Sequence, residues 1–379
     1  MFSGLYSSIQ SKEENLTLDA ILTRFLRFLS PYFLQACSFK VLEWLIRHDK
    51  INELNQDALM ECILPYHETK QFTTVLATMV LPDTSRWAFL KPLQKSLEPL
   101  DRQTLVRKCS SDASILTFIC DMTKESKAAK IHHRSLYTFF ACTLVHYVQN
   151  QKILSENDVI LLAPTLVQFL KISNPQYGDL QAAAQICVGQ MAAKVSFESE
   201  LLCQIIEAAT KGLTNLNMGA TILTVVTLCQ LQQMEEFPTK PLSIILDTSD
   251  IASELISIVN TYDAGCFLRS FLMALVDFYL ASLNAKAFNL FETIVKSGCV
   301  PSSLSSSLCE RIVKEIKHEN VNDVASLVKM MHSVLPKEMD TAISANLNLQ
   351  ENKDNALYSL TSTLFKARLS VFNFIGNII

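Results

Sequence analysis

Apolar residues recur at helical spacing along most of this chain. Leu18, Ile21, Leu22, Phe25, Leu26 and Leu29 form one stripe, with Asp19, Thr23, Arg24 and Arg27 opposite. Phe72, Val75, Leu76, Met79 and Val80 form a second. Leu136, Phe139, Phe140, Thr143, Leu144, Tyr147 and Val148 form a third. A period near 3.6 residues predicts amphipathic helices, and the alternation that marks half-buried strands is missing. Boundary residues support this reading. Ser30-Pro31 predicts a helix start, Asn55 a second with Asp57 at its positive end, and Thr69 a third. Pro65 stops the second helix, and Leu81-Pro82-Asp83 ends the third.

Thr84 to Pro99 is irregular in pattern. Asp101 then starts a short helix, and Asp112 caps one carrying Ile115, Leu116, Ile119 and Met122. Ser155 to Asp158 has the form of a capping box, with Asp in place of Glu. Pro164 is expected to bend the next helix, Asn174-Pro175 to turn it, and Asp179 to Lys194 to return. That unit of about 40 residues has the texture of a HEAT repeat. Phe197–Gly212 with Asn217–Gln232 follows, then Ile251–Asn260 with Phe267–Ala281, Ala285–Lys296 with Leu304–Ile316, and Val321–Val334. The expected fold is all-α, a HEAT-like α-solenoid, a superhelix of antiparallel helix pairs. The expected organisation is an N-terminal helical domain over 1–122, a basic loop over 123–134, and repeats over 135–234. A linker with two prolines follows over 235–250, then further repeats over 251–340 and a polar C-terminal segment over 341–379, expected to be less ordered.

Composition narrows the function classes. With 379 residues, 49% hydrophobic and 8 glycines, the chain suits a repeat array of helices. Its net charge of −4 argues against a dedicated phosphate-backbone binder. Eleven scattered cysteines without a CxxC pair read as reduced thiols, Cys142 and Cys187 among them. Met1-Phe2-Ser3-Gly4-Leu5 does not read as a signal peptide, and no apolar run reaches the roughly 20 residues of a membrane span. No nucleotide-binding glycine loop, HExxH or GxSxG is present, so no catalytic, cofactor-binding or metal-binding residues are assigned. Neither a cofactor nor a small-molecule substrate is implied.

The remaining candidates have a structural reading beside each functional one. His132-His133 reads as two solvated histidines in the basic loop, in preference to a metal pair. His67-Glu68 reads as part of a turn fixing two helices, in preference to an acid–base pair. Cys37 and Cys62 read as inert core thiols. Trp44 is expected to be largely buried between its own helix and the 55–64 helix, with Arg47 snorkelling beside it; the alternative is an exposed protein-binding anchor. Lys124, Lys127, Lys130 and Arg134 are candidate RNA contacts, weighed against a solvated loop.

One stretch is more specific than texture. The run Ser30-Pro31-Tyr32-Phe33, then Lys40 and Leu42-Glu43-Trp44-Leu45-Ile46-Arg47, Ile51, Asn55, and Leu64-Pro65-Tyr66-His67-Glu68-Thr69 with Phe72 resembles a signature of the U3 small nucleolar RNA-associated protein ten (UTP-ten) family. Gln10 to Asp19 resembles the segment upstream of that signature. The chain departs from the family at His48-Asp49, where an Arg-Phe stands, and at Asn52, where a His stands. The likeness is strong from Gln10 to Asp101 and diffuse beyond. Phe2 to Ser7 joins the family pattern mid-stream, which implies a fragment or partial gene product. The closing Phe-Asn-Phe-Ile-Gly-Asn-Ile-Ile does not read as a natural helix end.

The resemblance implies a non-enzymatic scaffold of the small-subunit processome, in its UtpA (t-UTP) subcomplex, located in the nucleolus. The implied role is pre-rRNA processing toward 18S rRNA and support of rDNA transcription. The implied partners are β-propeller subunits and the pre-ribosomal particle with the U3 ribonucleoprotein, with pre-rRNA contacted at most indirectly. On the residues themselves, the candidate structural or interface positions are Trp44, Arg47, Pro65, Tyr66, His67, Glu68 and Thr69. A karyopherin-like HEAT adaptor of transport or trafficking, and a helical enzyme with a site assembled across repeats, are the alternatives.

Overall fold

The structure, a computed structural model, describes residues 12–314 and 321–349. Every regular element among them is helical. Two compact units divide the chain, Met1–Val195 and Ser196–Ile379. The boundary falls inside the span 135–234, expected above as one block of repeats.

The first unit holds α1 (Lys12–Leu29), α2 (Ala36–Asp49), α3 (Ile51–Leu54), α4 (Gln56–Ile63), α5 (Lys70–Leu76), α6 (Lys91–Ser96), α7 (Arg102–Ser111), α8 (Ala113–Ala128), α9 (Arg134–Asn150), α10 (Glu156–Leu170) and α11 (Gly178–Ala192). The second holds α12 (Ser199–Lys211), α13 (Met218–Leu231), α14 (Thr239–Leu246), α15 (Ile251–Thr261), α16 (Gly265–Ser282), α17 (Ala285–Lys296), α18 (Ser302–Lys314), α19 (Val321–Val334) and α20 (Pro336–Leu349). From α7 onward, most helix pairs lie one or two positions apart in the order, α7 on α9 and α9 on α11 in the first unit, α12 on α14, α14 on α16 and α18 on α20 in the second; α13 on α16 and α14 on α17 reach one further, and α9 also packs back on the Ser30–Tyr32 and Leu64–Tyr66 turns. Packing dominated by near neighbours in sequence is the mark of a HEAT-like solenoid.

Several expected boundaries are present as capping bonds. Thr69 accepts from the Phe72 amide at 3.2 Å, Asp101 from Thr104 at 3.1 Å and Asp112 from Ser114 at 2.9 Å. Ser155 and Asp158 form the capping box. At the far end of α9, Lys194 donates to the carbonyls of Val148, Gln149 and Gln151, closing acceptors that have no partner within the helix.

Other expectations give way. The span 123–134 is not a loop throughout: α8 continues to Ala128 because Met122, Thr123 and Ser126 face the core. The span 235–250 contains α14. Pro238 precedes its first turn and Pro241 lies within it, where a missing N–H costs no helical bond, and Leu242 and Ile245 are buried. Ser30-Pro31 opens a 3-10 turn over Ser30–Tyr32, and α2 starts only at Ala36. Asn55 precedes α4 without capping it and donates instead to Asp19 at 2.8 Å. Within Thr84 to Pro99, Trp87 is fully buried and donates to Asp57 at 2.7 Å. Helix α20 runs on to Leu349, while the rest of the C-terminal segment lies outside the described residues. Helix α16 has the length and composition to cross a membrane, yet Phe267, Phe271, Leu272 and Leu275 are buried against its neighbours.

Candidate functional site

The two ends of the motif-bearing stretch meet in the first unit. Pro65 sits in a 3-10 turn, Leu64–Tyr66, that ends α4. The Tyr66 hydroxyl donates to the Ser30 carbonyl at 2.8 Å, and its ring lies 5.1 Å from that of Phe33. The Ser30 hydroxyl donates to the Cys62 carbonyl at 2.7 Å. Ser30 also lies 2.8 Å from Nε2 of His133, whose Nδ1 accepts from the Leu136 amide at 2.7 Å.

That geometry fixes the tautomer. An Nδ1 that accepts a main-chain N–H carries no proton, so Nε2–H donates to the Ser30 hydroxyl, which in turn donates to the Cys62 carbonyl. The chain of bonds needs a neutral imidazole. Burial holds His133 down to about 4, against the pull of its hydrogen bonds. His133 is therefore not the solvated loop residue expected: it caps α9 and ties it to the Ser30 turn. His132 is exposed.

His67 and Glu68 secure the turn to the start of α7. The Nδ1–H of His67 donates to the Leu100 carbonyl at 2.7 Å, and the Leu100 amide donates back to the His67 carbonyl at 2.9 Å. Arg102 meets Glu68 at 2.8 Å. Burial lowers the His67 pKa, and the Phe139 ring stands edge-on to it at 5.4 Å. His67 and His133 are thus held neutral and committed to main-chain groups.

Beside the turn lies a groove of about 420 Å³. Pro65, His67, Glu68, Arg102, Arg134 and Phe139 line it, with Tyr66 and Thr69 at the turn itself. The structure thus gathers Pro65 to Thr69 with Arg134, and adds Arg102 and Phe139, which pattern alone did not single out. Arg102 directly follows the Asp101 cap, and Phe139 lay within a stripe read as core.

The other candidates lie elsewhere. Trp44 is 42% exposed on α2, its ring 4.6 Å from that of His48 and tilted against it, because Ser38, Leu42 and Leu45 make the buried face of that helix. The expected burial between α2 and α4 is therefore incorrect. Arg47 pairs with Glu43 at 2.6 Å on the same exposed surface. Neither residue lines the groove. Lys124 pairs with Asp121 at 3.2 Å, and Lys127 stands 5.5 Å from the centre of the Phe169 ring, its pKa lowered by burial. Lys130 is exposed in the short turn between α8 and α9. The four basic residues thus form no single basic loop. Cys37 is exposed and Cys62 buried, its thiol pKa raised by burial. Among the described residues no group of three or more His, Cys, Asp or Glu side chains could hold a metal ion.

Sequence comparison places this geometry. A family profile described as U3 small nucleolar RNA-associated protein 10 matches residues 159–275. HEAT repeat-containing protein 1 of Homo sapiens is 34% identical over 72% of this chain. The chain belongs to the U3 small nucleolar RNA-associated protein 10 family. The Danio rerio protein of the same name as the human one is 27% identical over 94% of the chain. U3 small nucleolar RNA-associated protein 10 of Yarrowia lipolytica is 23% identical over 84%. The chain spans only 13%, 18% and 19% of those three proteins. Likeness to the family is therefore not confined to the Gln10 to Asp101 stretch: the profile lies wholly downstream of it, from within α10 to within α16. None of these names denotes an enzyme.

Proposed function

We propose that this chain is a scaffold segment of the small-subunit processome, acting through protein contacts in pre-rRNA processing toward 18S rRNA. It works in the nucleolus within the UtpA subcomplex, beside β-propeller subunits and the U3 ribonucleoprotein, and touches pre-rRNA at most indirectly. The observation that carries this is the family membership, together with relatives named as U3 small nucleolar RNA-associated proteins. The site agrees with it: Ser30, Tyr66, His67, Glu68 and Thr69 of the motif are spent on fixing helix ends and turns to one another, which suits a surface that presents fixed shape. The basic residues are dispersed and the net charge is −4, so no phosphate-attracting field is assembled.

The test is complementation. Cells depleted of the full-length protein receive a version lacking residues 12–195. The expected outcome is loss of association with the U3 ribonucleoprotein and accumulation of 18S precursors. Normal association and normal 18S production would defeat the proposal. Salt-resistant, tight binding of the isolated chain to spacer RNA would show that the partner class is wrong.

A further inference from the structure

The groove beside the Leu64–Tyr66 turn has a composition that its structural role does not require. Tyr66, His67 and Thr69 are accounted for by bonds that hold the turn. Arg134 is not. It is the first residue of α9, is exposed, and makes no ion pair among the described residues. Arg102 is only partly accounted for. Its Nη2 meets Glu68, while its Nε is shut off from solvent with no acceptor. A buried guanidinium donor left without an acceptor is unfavourable, so Arg102 is not fully satisfied by the pair with Glu68. Two arginines thus line one groove, together with the ring of Phe139 and the face of Pro65.

We propose that this groove binds an acidic peptide segment of a partner protein, with a carboxylate read by Arg134 and Arg102 and an adjacent apolar side chain laid against Phe139 and Pro65. The volume of about 420 Å³ takes a few side chains, within the ordinary range for specific sites. The peptide is favoured over RNA by what else lines the groove. Glu68 pairs with Arg102, so the groove's two arginines and one glutamate leave a single net positive charge, which matches one acidic side chain and is too little for a run of backbone phosphates. Lys124, Lys127 and Lys130 lie outside the groove, so no basic track leads a nucleic acid strand away from it. The proposal rests on the scaffold reading only in taking the groove as partner-facing, and its test needs no pre-ribosomal particle.

A display library of random heptapeptides is panned on the immobilised 379-residue chain and on its Arg134→Glu variant. That variant keeps its fold, because a carboxylate in the first turn suits the positive end of α9; unchanged thermal melting checks this. The expected result is enrichment, on the parent chain only, of peptides placing Asp or Glu next to Leu, Phe or Met. Labelled copies of an enriched peptide should bind at least tenfold more weakly to the variant, and when their carboxylates are replaced by amides. No enrichment, enriched peptides without acidic residues, or binding indifferent to Arg134→Glu overturns the proposal. A labelled uridine decamer that binds the parent chain and is lost on the variant overturns it too, by making the groove a phosphate site. Failure here leaves the complementation test of the scaffold role standing, and the reverse.

Discussion

The two units bury their polar side chains in different ways. In the first, Thr73 and Thr123 bond within their own helices, but five other buried polar groups bond across elements: Ser30 to Cys62, His133 to Ser30, His67 to Leu100, Asn52 to the Thr78 carbonyl, and Glu61 to Arg27 at 2.5 Å. In the second, Thr210, Thr224 and Ser270 return their hydroxyls to carbonyls of their own helices, and Ser305 to Pro301 just before its helix. Its interior is secured by packing, with Phe237, Phe267 and Phe271 in mutual ring contact. A bond within one helix says nothing about where the next helix sits. A bond between turns fixes one element against another, at the cost of needing each partner present. The first unit is therefore geometrically specified by a few residues, the second by volume.

The largest effect expected from this contrast is in the second unit. Phe271→Ala removes a fully buried ring and should cost about 3–5 kcal/mol. Hydrogen exchange of α16 amides would report it, and a loss under about 1 kcal/mol would show that packing does not carry that unit.

Next is the pH dependence of the first unit. His133 is held neutral when folded and has an ordinary value near 6.5 when unfolded. The unfolded state then binds the extra proton first, so stability is full above pH 6.5 and falls as pH drops toward 4. The loss amounts to roughly 3 kcal/mol. His67, lowered by burial, acts in the same sense, while Glu61, raised by burial, acts in the opposite one. Both tryptophans, Trp44 and Trp87, lie in the first unit, so tryptophan fluorescence during urea unfolding follows it alone. His133→Asn keeps a capping oxygen and should flatten the decline between pH 6.5 and 5. An unchanged slope in that variant would assign the decline elsewhere.

A matched pair of serines isolates the contrast. Ser30→Ala leaves Nε2–H of His133 and the Cys62 carbonyl without their partner and should cost roughly 1–3 kcal/mol. Ser270→Ala removes a bond within one helix and should cost less, on the order of 0.5 kcal/mol. Equal costs would dissolve the distinction between the units.

How much was legible beforehand follows the same division. Helix stripes and caps at Thr69, Asp101, Asp112 and Ser155 could be read because their partners are three residues away or fewer. The His133–Ser30 bond spans 103 positions, and histidine is not among the usual capping residues, so no local pattern announces it. The first half of the 123–134 span has the charge of a loop, yet Thr123 and Ser126 have small hydroxyl side chains that fit the core and carry α8 on to Ala128. The groove was half visible: Pro65 to Thr69 stood out as a motif, whereas Arg102 joins them only through the fold.

The smallest effect concerns Trp44, and it separates motif residues that hold the fold from those that do not. Had the ring been enclosed, truncation would cost about 3–5 kcal/mol. It is 42% exposed and rests on His48 of its own helix. Part of its area stays in water in both states, so Trp44→Ala should cost only about 1 kcal/mol. The neighbouring Arg47–Glu43 pair is exposed and adds a few tenths at most. In a Trp87→Phe background the remaining Trp44 should emit at long wavelength and be quenched readily by acrylamide, whereas Trp87 in a Trp44→Phe background should emit at short wavelength and resist quenching. Blue-shifted, protected emission from Trp44 would return it to the core. Exposed emission together with a small stability loss leaves a large aromatic side chain on α2 whose place in the family motif packing does not explain, and association of Trp44→Ala full-length protein with its complex becomes the measurement of what that side chain does.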